Sequence, residues 1–236
     1  MTYFCVSDIH GYYDVLIKSL TKSGFDESNP NHKLIVIGDM TDRGPQSLEV
    51  LEYIYKLHKN DKAIVILGNH DYFLCDFFKG NFERTHFNIL KNGHKETIDS
   101  LLGYSMKEDT DFLEEQRILL DKYPHIYLFL EELPLYYELG EYIFVHGGID
   151  VTLENWRNDT IRNFTWNKQH LLPSLPGKII VVGHTQAVRV RTKSEDYNLL
   201  YKTNPEMFDI LYGEGTIHID GSVHTTKNIN VLKLEI

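Results

Sequence analysis

The chain has 236 residues, 42% hydrophobic and 25% charged, the size and balance of one soluble α/β domain able to bury a sizeable core. Its net charge of −10 argues against a wide nucleic-acid footprint, since phosphate backbones are gripped by clustered Lys and Arg, yet leaves room for a small phosphate ester. The two cysteines, Cys5 and Cys75, fit neither a disulfide framework nor a zinc spacing, and no run approaches the roughly 20 apolar residues of a membrane span.

Both cysteines lie in apolar surroundings and read as small core residues in a reducing compartment. The start, Met-Thr-Tyr-Phe-Cys-Val-Ser-Asp, has no basic region, apolar core or cleavage site and enters a strand directly, so cytoplasm is the expected location. Tyr3 to Val6 is a short β-type run ending at Ser7-Asp8-Ile9-His10-Gly11. Tyr13, Leu16, Ile17 and Leu20 then recur at helical spacing, predicting a helix over 12–20. Residues 23–33, punctuated by Gly, Asn and Pro, read as loop.

Leu34-Ile35-Val36-Ile37 is a short apolar run bounded by Gly, the signature of a strand in a sheet covered on both faces. It ends at Gly38-Asp39 and a polar loop, Asp42-Arg43-Gly44-Pro45. A helix over 47–57 follows, then a strand over 63–67 that ends at Gly68-Asn69-His70-Asp71. Three β-then-α units in succession imply a largely parallel sheet. From Tyr72 to Lys122 the pattern is helical, and residues 77–122 read as a helical insertion over the site within a single domain spanning 1–236. Residues 126–130 fit neither strand nor helix decisively. Leu135–Leu139 and Tyr142–Val145 resemble a hairpin around Gly140, the second strand ending at His146-Gly147-Gly148. Lys178–Val182 is a further strand before Gly183-His184-Thr185, and 216–219 and 229–234 are expected closing strands.

Five strand-like runs therefore end in Asp8 and His10, Asp39, Asn69 and His70, His146, and His184. Functional groups in open α/β sheets collect at the carboxyl ends of strands. Carboxylate, amide oxygen and imidazole together suit a borderline divalent metal, with manganese, iron or zinc favoured over magnesium or calcium by the imidazoles. The other histidines, at 32, 58, 86, 94, 125, 170, 218 and 224, read as core or surface residues, with His224 also a candidate to face the site.

The blocks Asp-Ile-His-Gly at 8–11, Gly-Asp-Met-Thr-Asp-Arg-Gly at 38–44, Gly-Asn-His-Asp at 68–71, His-Gly-Gly at 146–148 and Gly-His-Thr at 183–185 resemble the signature of PPP-type serine/threonine protein phosphatases. The likeness is greatest to their compact bacterial and phage members, within the calcineurin-like metallophosphoesterases. Milder matches are Asn92-Gly93 with Thr97, Leu133-Pro134-Leu135, and Ile219-Asp220-Gly221. The resemblance implies a two-sheet β-sandwich flanked by helices and a site for two divalent ions, manganese first, with iron, zinc or nickel as alternatives. It implies Asp8 and His10 on the first ion, Asp39 bridging, and Asn69, His146 and His184 on the second. It further implies direct attack of a metal-bridging hydroxide on phosphorus, His70 as general acid, Asp42 holding that imidazole, and Arg43 binding phosphate with Asn69 and His70. The expected reaction is hydrolysis of phosphoserine or phosphothreonine in proteins.

Three departures bear on substrate. The second phosphate-binding arginine usual after a tryptophan is replaced in Thr165-Trp166-Asn167-Lys168, where either Lys168 or the nearby Arg162 stands in. The third block ends in Asp71 rather than Glu, as in the related symmetrical dinucleoside-tetraphosphate hydrolases, which also share a Gly-Pro-x-Ser-Leu run like Gly44–Leu48. Val223-His224-Thr225-Thr226 stands where bacterial members often have Val-Tyr-Gly-Gly. The competing readings are a hydrolase of dinucleoside polyphosphates or nucleotide caps, with small phosphoesters or nucleotides in place of a phosphorylated protein, and a binding module that has lost its metal. No membrane or extended nucleic-acid partner is expected; the oligomeric state stays open.

Overall fold

The computed structural model describes every residue except Glu108. In chain order the first half runs β1 (Thr2–Val6), α1 (Tyr13–Ser23), β2 (His32–Ile37), α2 (Ser47–Lys59), β3 (Ala63–Ile66), α3 (Asn69–Phe78), α4 (Phe82–Asn92), α5 (His94–Leu102), α6 (Phe112–Lys122) and α7 (Pro124–Glu131). The second half runs β4 (Tyr136–Leu139), β5 (Tyr142–Val145), α8 (Ile161–Trp166), β6 (Ile179–Val182), α9 (Ala187–Arg191), α10 (Tyr197–Thr203), β7 (Leu211–Gly213), β8 (Thr216–His218), α11 (Val223–Thr226) and β9 (Leu232–Glu235).

The strands form two sheets rather than one. The first has the order β3-β2-β1-β9, with β1, β2 and β3 parallel and β9 antiparallel at the edge. The second has the order β4-β5-β6-β8-β7, with β5, β6 and β8 parallel and an antiparallel strand at each edge. Because successive side chains on a strand alternate faces, each strand serves two cores. In β2, Ile35 and Ile37 pack with Cys5, Phe144 and Val181 in the layer shared by the two sheets. Leu34 and Val36 face the other way, into a larger core with α1, α2 and the helices of 69–131. On the second sheet Ile143, Val145, Ile180 and Val182 pack outward against Trp156 and Phe164. Continuous apolar runs are the price of being covered on both sides.

The helical stretch is longer than 77–122 and continuous with the core. It starts at Asn69, directly after β3, and ends at Glu131. Phe77, Ile98, Leu101, Leu119 and Ile126 pack into the same cluster as Leu51 and Ile54 of α2. Residues 126–130 belong to α7, where Pro124 occupies the first turn, a position at which its missing N–H costs nothing. The last closing strand begins at Leu232 rather than Ile229, and the two closing strands lie in different sheets. Cys5 and Cys75 are free and buried, and burial pushes both thiols up, which suits inert core residues.

Candidate metal centre

Within each sheet the site strands run parallel, so their carboxyl ends point the same way. Asp8, Asp39 and Asn69 follow β1, β2 and β3, and His146 and His184 follow β5 and β6. The sheets are stitched together at this end: the Asp8 Oδ2 accepts from the His184 backbone N–H at 3.0 Å, and His146 Nδ1 lies 2.8 Å from the Ile37 carbonyl. The backbone here is strained. Among the described residues, six of the nine non-glycines with positive φ are Asp8, His10, Asp39, Asp42, Arg43 and His184. A left-handed residue costs roughly 1–2 kcal/mol, so strain concentrated at one place is strain held by surrounding structure for a purpose. Gly68 explains the tightness of the crossing, since a Cβ there would collide with the backbone N and Oδ1 of Asp39.

Asp39 sits at the centre. Its Oδ2 lies 3.8 Å from His10 Nε2 and 3.9 Å from His70 Nε2, while its Oδ1 lies 3.2 Å from His146 Nε2. Asp8 Oδ1 is 3.8 Å from the same His10 nitrogen. Asn69 Oδ1 lies 3.0 Å from both His146 Nε2 and His184 Nδ1. Two donor triplets, His10–Asp39–His70 and Asp39–His146–His184, have ligand atoms within 4.8 Å of one another and share Asp39. Asp8, His10, Asp39, Asn69, His70 and His146 are all buried, and His184 is half-buried.

The tautomers follow from the partners. His10 Nδ1–H donates to the Thr41 carbonyl at 2.9 Å, so Nε2 carries a lone pair, which accepts from Arg43 Nη1 at 2.7 Å. His146 Nδ1–H likewise donates to Ile37, and its Nε2 then faces two oxygens, Asp39 Oδ1 and Asn69 Oδ1. A bare lone pair cannot sit against two acceptors; a proton or a metal ion must lie between them.

The electrostatics agree with that demand. Burial alone raises a carboxyl, yet the imidazoles of His146, His70 and His10 hold Asp39 well below its ordinary value. His146 is correspondingly raised to about 10: burial opposes its charge, but Asp39 and Asp8 outweigh burial. Burial lifts Asp8 to about 6, Asp39 lifting it further and His146 opposing. Asp220, from Ile219-Asp220-Gly221, is raised well above the carboxylate range by burial and by the charge of Asp8. His10 and His184 are driven the other way, His184 to about 3, chiefly by burial. Buried acids crowded beside His10 and His184, whose imidazoles stay unprotonated, make a donor set that divalent cations fit.

Beside this cluster, His70 Nδ1–H donates to Asp42 Oδ2 at 2.7 Å, and its Nε2 accepts from Arg43 Nη2 at 3.2 Å. The other Asp42 oxygen takes His94 Nδ1 at 2.8 Å and the Thr97 hydroxyl at 2.7 Å. Although burial opposes it, these partners hold Asp42 far below its ordinary value, so it stays ionised. Gly93 supports Arg43: its carbonyl accepts the Arg43 N–H at 2.9 Å, and a Cβ on it would press on that same backbone.

Lys168 and Arg162 are not drawn into this cluster by any hydrogen bond among the described residues. Lys168 is exposed, and its charge reaches His184 as one of the weaker influences on that imidazole. Arg162 is exposed on α8 and lines a cleft beside the centre. His224 is exposed on α11, where desolvation and the Arg43 charge depress its imidazole. Residues that strand-end reasoning passed over include His94, which follows no strand, and Asp71. The latter accepts the N–H groups of Asp39 at 2.8 Å, Met40 at 2.8 Å and Gly68 at 3.0 Å, and so clamps the β2 and β3 loops together. Its place beside His70 in the block was the available signal.

A sequence profile of the calcineurin-like phosphoesterase family matches residues 1–215. A protein of Geobacillus sp. named bis(5′-nucleosyl)-tetraphosphatase PrpE [asymmetrical] is 34% identical over 153 residues, covering 61% of this chain and 56% of the relative. A protein of the same name from Halalkalibacterium halodurans is 27% identical over 98% of this chain and 85% of its own length. The chain thus spans little more than half of the first relative's length. The cold-active protein-tyrosine phosphatase of a psychrophilic Shewanella shares the fold, with a TM-score of 0.57 and 18% identity over 99% of this chain and 75% of that one. No helix among the described residues is long and apolar enough to cross a membrane.

Proposed function

The chain belongs to the calcineurin-like phosphoesterase family, and from that premise we propose that this metal-dependent phosphoesterase hydrolyses dinucleoside polyphosphates. The carrying observation is Asp39, shared by the donor triplets His10–Asp39–His70 and Asp39–His146–His184, with Arg43 hydrogen-bonded to His10 and His70. The substrate class is supported by relatives named as tetraphosphatases.

Asp8, His10 and Asp39 would hold one ion, and Asp39, Asn69, His146 and His184 the other. When bound, such a pair supplies an activated water at neutral pH and neutralises charge on the phosphoryl group. The chain's own residues do the rest. One Nε2 lone pair cannot serve both Arg43 and an ion, so Arg43 must leave His10 when that position is filled. Its planar fork is then available to phosphoryl oxygens, which it matches bidentately. Asp42, fixed by His94 and Thr97, orients His70 through Nδ1, leaving Nε2 to bring a proton to the departing oxygen.

That last arrangement favours a second reading, hydrolysis of phosphoserine or phosphothreonine in proteins. An alkoxide leaving group needs a proton; a nucleotide leaving group is a far weaker base and needs one less. The test is turnover with added manganese on diadenosine tetraphosphate and on a phosphoserine peptide. The nucleotide reading expects the former to be faster, with AMP and ATP as products if cleavage is asymmetrical and ADP alone if symmetrical. Faster release of phosphate from the peptide would replace it with the second reading.

A further inference from the structure

We propose that the cleft between α3–α4 and α8 is a nucleobase subsite, taking one base of the substrate while the reacting phosphoryl group lies at the Asp39 centre. The inference rests on the reading of the chain as a dinucleoside-polyphosphate hydrolase and names where that substrate's second recognition element goes. The cleft has a volume of about 470 Å³ and is walled by Tyr72, Phe73, Phe87 and Trp166, with Arg84 and Arg162 among them. Phe87 is 59% exposed and Trp166 39%, so two large aromatic side chains stand in solvent beside the same cavity.

The cleft lies beside the centre, two of its wall rings packing on the centre's histidines. Phe73 stands 5.0 Å from the His70 ring and 5.8 Å from the Trp166 ring, and Trp166 stands 5.7 Å from the His184 ring. Asn92 lines the cleft, and the next residue, Gly93, holds the Arg43 backbone. Charge favours an anion here through Arg162, which lines the cavity and has no carboxylate partner among the described residues. Arg84 is held in place, 2.9 Å from Asp76 Oδ2 with its guanidinium 5.1 Å from the centre of the Tyr72 ring. Aromatic faces and arginine planes are the groups on which bases stack.

Asn88 adds a polar criterion. It is 2% exposed and lines the cleft, and its Oδ1 accepts from Asn92 Nδ2 at 2.8 Å. Its own Nδ2 has no hydrogen-bond partner among the described residues. A buried donor left unpaired is costly, and the acceptor edge of a base would satisfy it. A peptide side chain would offer the aromatic contacts without the flat acceptor edge and the phosphates.

The test uses the full chain loaded with manganese and follows tryptophan fluorescence. Only Trp156 and Trp166 contribute, and Trp156 is buried at 6% exposure. Titration with adenosine and with AMP is expected to give saturable quenching, AMP binding more tightly. Phe87→Ser, at an exposed position, is expected to weaken both about tenfold. Arg162→Ala is expected to weaken AMP and leave adenosine unaltered. Quenching that does not saturate, or titrations of both variants that match the parent, would overturn the subsite. Turnover of diadenosine tetraphosphate separates the two levels of inference. Its absence in a parent chain that binds AMP through Phe87 removes the substrate reading alone; undiminished turnover in Phe87→Ser removes the subsite alone.

Discussion

The metal centre and the cleft beside it are built in opposite ways. The centre is assembled from backbone: strand ends of two sheets deliver its side chains, left-handed residues aim them, and glycines allow the crossing. Its donors are buried, His184 half-buried, and Asp39 lies among them. The cleft is assembled from helix faces, α3, α4 and α8, with Phe87, Trp166 and Arg162 exposed around a buried Phe73. The difference teaches where chemistry and choice are separated in this molecule. On the proposed reading, rigid, strained loops hold the reacting groups, while exposed helical side chains can change without disturbing them.

Mutations at the two places should therefore differ in size and in kind. The largest effect is expected at Asp39, which both donor triplets share. Asp39→Asn should lower turnover of every phosphate substrate by about a thousandfold or more, the scale of the charge stabilisation a bound ion supplies. Steady-state rates on p-nitrophenyl phosphate check this, and a loss under tenfold would contradict a bridging role. His70→Asn should lower turnover of alkyl phosphates by about a hundredfold while leaving metal content unchanged. The loss should be smaller on p-nitrophenyl phosphate and on the anhydride, whose leaving groups need less help; equal losses on all three would remove His70 as the acid.

Asp42→Asn should cost about ten- to a hundredfold, since it acts only through His70. His94→Gln should cost less, under about tenfold, because Thr97 still holds the same Asp42 oxygen. A double variant, His94→Gln with His70→Asn, should be no slower than His70→Asn alone; additive losses would place His94 on a separate route. The smallest effect on chemistry is expected in the cleft. Phe87→Ser should raise KM for diadenosine tetraphosphate about tenfold and leave kcat for p-nitrophenyl phosphate within about twofold. A fall in that kcat would show that the two regions are not separable.

The same contrast explains what could be read in the sequence. Asp8, Asp39, Asn69, His146 and His184 each follow an apolar run closely, most beside a glycine, so period and punctuation single them out in the sequence. Their convergence across two sheets was not legible in that way: three β-α units predict one parallel sheet, and the split into two came only with the family resemblance. His94 was passed over because it opens a helix rather than closing a strand. Phe87 and Arg84 carry no signal beyond amphipathic spacing, because a helix face reports what it buries and not what it shows to solvent. Likewise α9 and α10, of five and seven residues, are too short for a periodic pattern. Residues 126–130 read ambiguously because α7 is apolar on most sides, as a helix packed into a core tends to be.

The central claim is that side chains from two sheets seat two cations around one carboxylate. Elemental analysis of the protein, dialysed after loading with manganese, tests it without reference to any substrate. The parent chain should retain about two ions and Asp39→Asn far fewer. A parent chain that holds no stoichiometric metal, or an Asp39→Asn chain that holds as much as the parent, would contradict it.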